Sequence, residues 1–261
     1  MQQTQIETAA QTIWQHWNNA TQMESLPKDC RPQDRAEGYA IQAVLAQLVG
    51  QEVVGWKIAA TSIAGQQHIG VDGPIAGRLF ANRVLAGGAT LSLDGIAMRL
   101  AEAEFTFRFR DALPKRAEPY SVEEVLAAVD TLHPAIEIPD SRYHEVARAG
   151  APQLIADDAC ASWFLLGAAT TADWRSLDLA AHRVQAYRHD ALVAEGSGAN
   201  VLGDPRIALT WIANELSRYD DGLQAGQFVT TGTCVVPMPI APGDHLRVDF
   251  GVIGVIDVSF T

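Results

Sequence analysis

The sequence predicts a mixed α+β fold, with a β-rich core preceded by a helical region. Apolar residues in the first fifty positions recur at helical spacing, whereas short β-type runs separated by Gly and Pro begin at Val53. Strands and helices do not alternate regularly, which argues against a doubly wound fold. With 261 residues the chain can bury a large core. We therefore predict an N-terminal helical region at residues 1–52 and a β-rich main domain at residues 53–261.

The predicted helices are placed by their capping residues and their apolar spacing. The first covers residues 6–17 and stops at Asn18-Asn19, and the second runs from about residue 34 to residue 49, where Gly50 ends it. Thr61-Ser62 can cap a short helix through residue 69. Later helices begin at the capping box 121–124 and at Asp204-Pro205, which places Pro in the first turn.

The predicted strands are short runs of β-branched and aromatic residues bounded by turn residues. They cover residues 53–59, 89–93, 99–108, 132–138, 163–166, 181–188, 192–195, 228–231, 245–250 and 252–260. His189-Asp190 is typical of a hairpin turn, and Gly251 separates the last two strands.

Composition excludes several classes of partner. The formal net charge of -12 argues against sequence-independent binding to nucleic acid and against attraction to anionic membranes. No apolar run reaches the length of a membrane-spanning helix, and the amino terminus lacks the pattern of a secretory signal. The three widely spaced cysteines form neither a disulfide framework nor a zinc motif. We therefore expect a cytoplasmic protein.

Two glutamates dominate the predicted chemistry of the main domain. Glu102 and Glu104 lie one residue apart in a segment that alternates and continues into Phe105 and Phe107. On a strand, residues two apart project from the same face, so the two carboxylates would lie side by side among apolar neighbours. A third carboxylate, Glu137, interrupts another apolar run.

Three such carboxylates suit Mg²⁺ or Mn²⁺, because hard divalent cations prefer oxygen ligands and these three would leave several coordination positions open. The alternative interpretation is that Glu102 and Glu104 lie on the solvated face of an edge strand. Spacing alone leaves both interpretations open.

Lys57, inside the apolar strand 53–59, is a second candidate functional residue. It either extends to the surface or is buried opposite a negative charge, where it could donate a proton or bind a carboxylate. Other patterns are less informative. The glycines at residues 196–203 lack the Lys-Ser or Lys-Thr pair of a P-loop, and Ser162 has no nucleophile-elbow motif around it.

An ordered set of motifs resembles the 2-oxopent-4-enoate hydratase and 4-oxalocrotonate decarboxylase group of the fumarylacetoacetate hydrolase superfamily. The principal segments are Gly55-Trp-Lys57 with Thr61-Ser62, Gly70-Val-Asp-Gly-Pro74, Glu102-Ala-Glu104 and Glu137-Ile-Pro-Asp-Ser-Arg142. Supporting segments are residues 156–162, 198–203, 223–226 and 242–244. The resemblance covers nearly the whole chain from about residue 35 and is specific at the level of the superfamily.

The resemblance implies a fold and a set of site residues. The fold is a mixed β-roll with an N-terminal helical region, usually in homo-oligomers, and residues 53–261 would be the catalytic domain. The glutamates matching Glu102, Glu104 and Glu137 hold Mg²⁺ or Mn²⁺ in that group. Lys57, Ser162 and Leu79 would contact the substrate, with Lys57 and Ser162 in catalytic roles.

The implied function is that of a metal-dependent lyase acting on a small 2-oxo or 2-hydroxy-dienoic acid. We expect a hydratase that adds water to a 2-hydroxy-2,4-dienoate to give a 4-hydroxy-2-oxo acid, in the catabolism of aromatic compounds. The alternatives are a 4-oxalocrotonate-type decarboxylase and a non-catalytic, ligand-binding member of the fold. Ile75 stands where hydratases of the group commonly carry an aspartate, which weakens the hydratase assignment. Asp72 is the nearest acid in the sequence that could replace it.

Overall fold

The computed structural model describes residues 1–261 and contains seven α-helices and fifteen β-strands. The helices are α1 (Gln3–Asn19), α2 (Arg35–Val49), α3 (Ile63–Ile69), α4 (Val122–Ala128), α5 (Val146–Ala149), α6 (Ala151–Ala156) and α7 (Pro205–Tyr219). No helix is both long and apolar enough to cross a bilayer.

The strands begin at residue 53 and continue to the end of the chain. They are β1 (Val53–Ala59), β2 (Ile75–Phe80), β3 (Val84–Ala86), β4 (Thr90–Leu91), β5 (Leu100–Phe109), β6 (Leu113–Pro114), β7 (Val129–Ile138), β8 (Trp163–Leu166), β9 (Arg183–Arg188), β10 (Ala191–Ser197), β11 (Gly222–Leu223), β12 (Phe228–Thr233), β13 (Met238–Pro239), β14 (His245–Asp249) and β15 (Val255–Phe260).

The principal sheet has the strand order β2-β1-β12-β5-β7-β8-β3, and β13 pairs with β5 beside this path. The β1–β12 and β3–β8 pairs are parallel, and the other pairs in this sheet are antiparallel. The mixed directions agree with the irregular succession of strands and helices in the sequence. A second sheet has the order β10-β9-β14-β15-β4, and β6 pairs with β11.

The principal sheet curls on itself. Leu79 on β2 packs against Ala135 on β7 and Phe164 on β8, although several strands lie between them in the hydrogen-bonded order. The curl therefore gives the sheet an inner face, where these three residues form a small separate cluster. Side chains that alternate with the inner ones, such as Phe105 and Ile136, belong to the main core of sixty buried residues.

Helix α2 begins and ends where the sequence predicts, whereas α1 begins three residues before the predicted start and ends at the predicted stop, Asn18-Asn19. Asp34 caps α2 by accepting a hydrogen bond from the backbone N–H of Glu37, and Gly50 ends it with a left-handed φ of 64°. The buried faces of the two helices contribute Ile13 and Ile41, among others, to the main core.

The structure confirms the mixed α+β class, most of the predicted elements and the hairpin turn at His189-Asp190, whose φ angles are 46° and 68°. It also contains β2, α5, α6 and several two- or three-residue strands that the sequence did not predict. All six residues of β2 are buried, so β2 has no alternating pattern, and its Gly77 is a residue type that is uncommon in strands. The predicted last strand is too long, because residues 251–253 form a 3₁₀ turn before β15.

Candidate metal centre and its surroundings

Strand register brings Glu102, Glu104 and Glu137 together. Glu102 on β5 lies directly opposite Glu137 on β7, and Glu104 lies opposite Ala135. One ligand atom from each of the three glutamates can be chosen so that all lie within 4.8 Å of one another. Because β5 is a central strand, flanked by β12 and β7, the interpretation as a solvated edge strand is wrong.

The alternation of β5 explains why two carboxylates can share an interior face. Ala101, Ala103 and Phe105 point into the main core, so the intervening glutamates point to the inner side of the curled sheet. Glu104 is fully buried, whereas Glu102 is only partly buried. Glu102 therefore lies where a small ion or ligand can approach the group.

The hydrogen bonds of these carboxylates leave oxygens free. Glu104 Oε2 accepts hydrogen bonds from Thr230 Oγ1 and, at 2.8 Å, from the backbone N–H of Gly232, while its Oε1 has no partner. Neither oxygen of Glu137 accepts a well-formed hydrogen bond, although its Oε1 lies 3.0 Å from Lys57 Nζ in an ion pair. Buried carboxylate oxygens without partners are costly, so their convergence favours an additional cation.

Burial and mutual repulsion disfavour the ionised forms of these groups. Burial and the neighbouring carboxylate of Glu137 raise the pKa of Glu102 to about 7. Burial, together with Glu137 and Glu102, raises the pKa of Glu104 well above its usual value. One ammonium faces three carboxylates, so a divalent cation would supply the missing charge. The donor set, three carboxylates with free oxygens, fits a hard divalent cation.

Lys57 lies in the same interior group. It is buried on β1, opposite Thr230 of β12, and its Nζ donates a hydrogen bond of 3.0 Å to the backbone carbonyl of Ala159. Burial opposes its charge, but the carboxylates of Glu137 and Glu102 outweigh this effect and raise the pKa of Lys57. Lys57 therefore keeps its proton at neutral pH.

Of the other predicted substrate contacts, Leu79 lies on the inner face with Lys57, whereas Ser162 lines a cavity whose walls include neither Lys57 nor the three glutamates. On the paired strands β1 and β2, Leu79 lies opposite Gly55, and Gly77 lies opposite Lys57. Residues two apart on a strand face the same side, so the side chain of Leu79 shares the inner face with the side chain of Lys57. Ser162 directly precedes β8 and lines a cavity of about 120 Å³ whose walls include Arg83, Arg142 and Trp163. The structure thus unites the glutamates and Lys57 and puts Leu79 on the same face. The roles of these residues and of Ser162 stay predictions.

Ile75 is fully buried in the main core. The position at which hydratases of the resembled group commonly carry an aspartate is therefore surrounded by apolar residues in this protein. Asp72 cannot replace that acid from a buried position, because its side chain is 89% exposed and lies 3.9 Å from Arg35.

Sequence reasoning missed Thr230, Gly232 and the carbonyl of Ala159. Thr230 and Gly232 belong to a Thr-Thr-Gly-Thr run in β12 whose first three residues are buried, and consecutive buried polar residues in a strand are a detectable signal. A backbone carbonyl carries no such signal, so only the structure could identify Ala159.

Several named enzymes are similar to the chain along most of its length. The 2-keto-4-pentenoate hydratase of Paraburkholderia xenovorans (strain LB400) is 31% identical over 259 residues, which covers 98% of this chain and 95% of that enzyme. The 4-oxalocrotonate decarboxylase of Pseudomonas sp. (strain CF600) is 31% identical over 201 residues, covering 77% of this chain and 75% of that enzyme. No protein-family model matches the sequence.

The fold is also similar to the folds of solved structures. The 4-oxalocrotonate decarboxylase from Pseudomonas putida G7, complexed with magnesium and adipate, has a TM-score of 0.91 and 26% identity, covering 100% of this chain and 99% of that one. The same enzyme complexed with calcium and acetate has a TM-score of 0.89. More distant neighbours include a fumarylpyruvate hydrolase from Burkholderia cenocepacia with a TM-score of 0.56 and 14% identity, which shows the fold alone.

Proposed function

Because the chain belongs to the family of 2-keto-4-pentenoate hydratases and 4-oxalocrotonate decarboxylases, within the fumarylacetoacetate hydrolase superfamily, we propose that it is a divalent-metal-dependent hydratase. Its substrate would be a small 2-hydroxy-2,4-dienoate from the breakdown of aromatic compounds, and its product a 4-hydroxy-2-oxo acid. Similarity to hydratases at 31% identity over 98% of the chain supports this assignment.

The observation that carries the proposal is the buried group of three carboxylates around Lys57. One oxygen of Glu104 and both oxygens of Glu137 are buried without a hydrogen-bond partner, and Glu102 beside them is partly exposed. Mg²⁺ or Mn²⁺ suits these ligands, and we propose the three glutamates as its protein ligands. Such a cation, when bound, supplies a Lewis acid and a template for the 1-carboxylate and 2-oxygen of a 2-oxo acid.

The reaction exchanges protons at three substrate positions. As the 2-hydroxyl proton is lost, C5 gains a proton, and the remaining C3–C4 double bond becomes conjugated with the C2 carbonyl. A water oxygen then bonds to C4 as hydroxyl, and the second proton of that water balances the addition at C3. We propose that Lys57 holds a proton close to the substrate oxygens, because its raised pKa makes it a hydrogen-bond donor.

A second candidate function, decarboxylation, is favoured by Ile75. Loss of CO₂ from a vinylogous β-keto acid needs no attacking water, so an apolar residue at this buried position is less harmful to it than to hydration. The 4-oxalocrotonate decarboxylase of Pseudomonas putida G7 aligns with 100% of this chain at a TM-score of 0.91.

One experiment separates these functions. The purified protein is incubated with 2-hydroxypenta-2,4-dienoate or with 4-oxalocrotonate, with and without Mg²⁺, and the products are followed by NMR. Formation of 4-hydroxy-2-oxopentanoate that requires Mg²⁺ supports the hydratase, whereas preferential CO₂ release supports the decarboxylase. Turnover of neither compound would contradict both and favour a ligand-binding role.

The variant Ile75→Asp tests the basis of the second candidate. If Ile75 limits hydration, the introduced carboxylate should raise the ratio of hydratase to decarboxylase activity. The matched control Ile75→Asn has a similar shape but no charge, so an equal rise in both variants would argue against an acid–base explanation.

We propose that the chain forms a homo-oligomer in the cytoplasm, and light scattering of the purified protein would test the assembly.

A further inference from the structure

Residues 158–160 form a left-handed turn whose backbone is in contact with the Lys57 ammonium. Asp158, Ala159 and Cys160 have φ angles of 54°, 51° and 62°, although none of them is glycine. L residues avoid this region because Cβ then approaches the following carbonyl oxygen. Three such residues in succession persist only where surrounding contacts impose the conformation.

The turn presents one backbone carbonyl to the interior of the sheet. Ala159 O accepts a hydrogen bond of 3.0 Å from Lys57 Nζ, and Glu137 Oε1 lies at the same distance from that nitrogen. A lysine ammonium has three N–H donors. One of these donors is directed at the Ala159 carbonyl, whereas Glu137 Oε1 forms an ion pair without a well-formed hydrogen bond, so the carbonyl is the group that orients the ammonium. The carbonyl is the uncharged partner in this arrangement, and its position depends on the turn.

Side chains on both sides of the turn hold it in place. Asp158 Oδ1 accepts a hydrogen bond of 2.7 Å from the backbone N–H of Arg78 on β2. Asp157 accepts from Ser141 Oγ at 2.8 Å and from the guanidinium of Arg142. Arg142 also donates to the carbonyl of Asp157, so the start of the turn is held independently of Asp158.

A glycine on β2 allows the backbone of the turn to approach this strand closely. A Cβ at Gly77 would lie 2.1 Å from the carbonyl oxygen of Asp158, so only glycine allows this approach. Gly77 pairs with Lys57, and the Asp158 bond attaches the turn to the next residue of β2, Arg78. The contacts of Asp158 therefore fix the distance between the turn and the strand pair that carries Lys57.

We propose that Asp158 is a positioning residue, which acts through the Ala159 carbonyl to aim the Lys57 ammonium at the substrate. No hydrogen bond or ion pair joins the Asp158 side chain to Lys57 or to a glutamate of the candidate metal centre, and this fully buried side chain is hydrogen-bonded to the backbone of β2. This proposal rests on the proposed function for its kinetic test, but it predicts a property of Lys57 that can be measured without turnover.

The kinetic test compares three variants at Asp158. Asp158→Asn keeps an oxygen that can accept from Arg78 N–H and should retain most of the turnover. Asp158→Ala removes the acceptor and should lower kcat by about 10- to 100-fold, since a misplacement of about 1 Å can have this effect. Its Mg²⁺ affinity should remain within about 2-fold of wild type, because no proposed ligand is altered. Asp158→Gly, for which a left-handed φ is unstrained, replaces Asp158→Ala if that variant does not fold.

A double-mutant cycle with Lys57→Met shows whether Asp158 acts through the lysine. In the Lys57→Met background, Asp158→Ala should have no further effect on kcat, since the group that it positions is already absent. A loss of the same size in both backgrounds, or wild-type kcat in Asp158→Ala, would overturn the proposal.

Amine labelling of the metal-free protein supplies the measurement that needs no substrate. Trinitrobenzenesulfonate labelling of Lys57 is measured by mass spectrometry against the exposed Lys28 and Lys115. Labelling of Lys57 should increase several-fold in Asp158→Ala but not in Asp158→Asn, and unchanged labelling would contradict the positioning role. If wild type converts neither substrate, the proposed function fails, and labelling alone decides the present proposal.

Discussion

At the scale of single residues, charge balance shapes the interior of the curled sheet. Three carboxylates converge on one ammonium, and several of their oxygens have no protein partner. Buried charges normally neutralise by protonation or by pairing. Binding of a cation would therefore compete with protonation of Glu102 and Glu104, and substitutions at single positions should separate metal binding from folding.

Replacing Glu104 by Gln should weaken Mg²⁺ binding by at least about 10-fold, since even residues behind the ligands affect affinity that much. The free energy of unfolding of the metal-free protein should change little, because the raised pKa of Glu104 already favours its neutral form. Calorimetric titration and urea unfolding measure the two quantities. Glu123→Gln, at an exposed position, is the control, and equal losses of folding and metal binding would indicate a structural role for Glu104.

Replacing Lys57 by Met should lower kcat by roughly 10²- to 10⁴-fold, the usual contribution of one acid–base group. Mg²⁺ affinity should be unchanged or higher, because the substitution removes a positive charge 3.0 Å from Glu137. Steady-state kinetics at saturating Mg²⁺ and a metal titration check the two expectations. Wild-type turnover in this variant would exclude Lys57 from the mechanism.

Asp158 should make stability depend on pH. Burial raises its pKa from 3.8 to about 7, so the folded state binds this proton more tightly than the unfolded state. Its contribution to stability is therefore complete below about pH 4 and is lost as pH rises through 7. Between pH 5 and pH 8, wild type should lose more free energy of unfolding than Asp158→Asn, as measured with urea. Parallel pH profiles for the two proteins would contradict the shift.

At the scale of secondary-structure elements, close backbone contacts determine how the strands and turns around the site fit together. Gly77 admits the carbonyl of Asp158, and Gly55 on β1 admits the carbonyl of Phe228 on the neighbouring parallel strand. Side chains at these positions would meet backbone atoms that cannot rotate away. Glycines at these strand contacts therefore allow the close backbone approach on which the inner face depends.

Replacing Gly55 by Ala should destabilise the protein by about 1–3 kcal/mol, the usual range for overpacking. The added Cβ would lie 2.3 Å from the carbonyl oxygen of Phe228, so β1 and β12 would have to separate. Gly73→Ala is the matched control, because a Cβ there meets nothing within 4 Å. Thermal unfolding of the two variants measures the difference, and equal melting temperatures would show that the strands adjust without cost.

At the scale of the whole molecule, the N-terminal helices and the sheet share one apolar core. Ile13 and Ile41 belong to the same cluster as Phe105 and Val229. Polar contacts support this connection, since Arg35 on α2 forms an ion pair of 2.6 Å with Glu215 on α7. The hydroxyl of Tyr39 also donates to Glu215, at 3.0 Å. One apolar core therefore spans the predicted division at residue 52, which stays a prediction.

We expect the free chain to unfold in a single cooperative transition, because removing α1 and α2 would expose the apolar surface beneath them. Circular dichroism and tryptophan fluorescence should give coincident urea curves. A fragment of residues 53–261 should not fold by itself under the same conditions. Two separate transitions, or a stable fragment, would show that the division at residue 52 marks an independent domain.

The sequence by itself determined the local structure and the residue types of the site. Helices α1 and α2 follow from their spacing and caps, and the Glu102–Glu104 pair follows from strand alternation, since these patterns depend only on near neighbours. The ordered motifs from residue 55 to residue 244 also indicate the family without any structural information.

Only the tertiary structure decided which strands pair and which site residues lie in contact. The sequence left open whether Glu102 and Glu104 lie on an edge strand, because strand order depends on pairing between distant segments, and the register with Glu137 settled it. The contact between Ala159 and Lys57 could not be predicted for the same reason, because the two residues are 102 positions apart in the sequence and meet only in the folded chain. Residue types specify what chemistry is available, whereas long-range contacts decide which groups lie together and whether their charges are balanced.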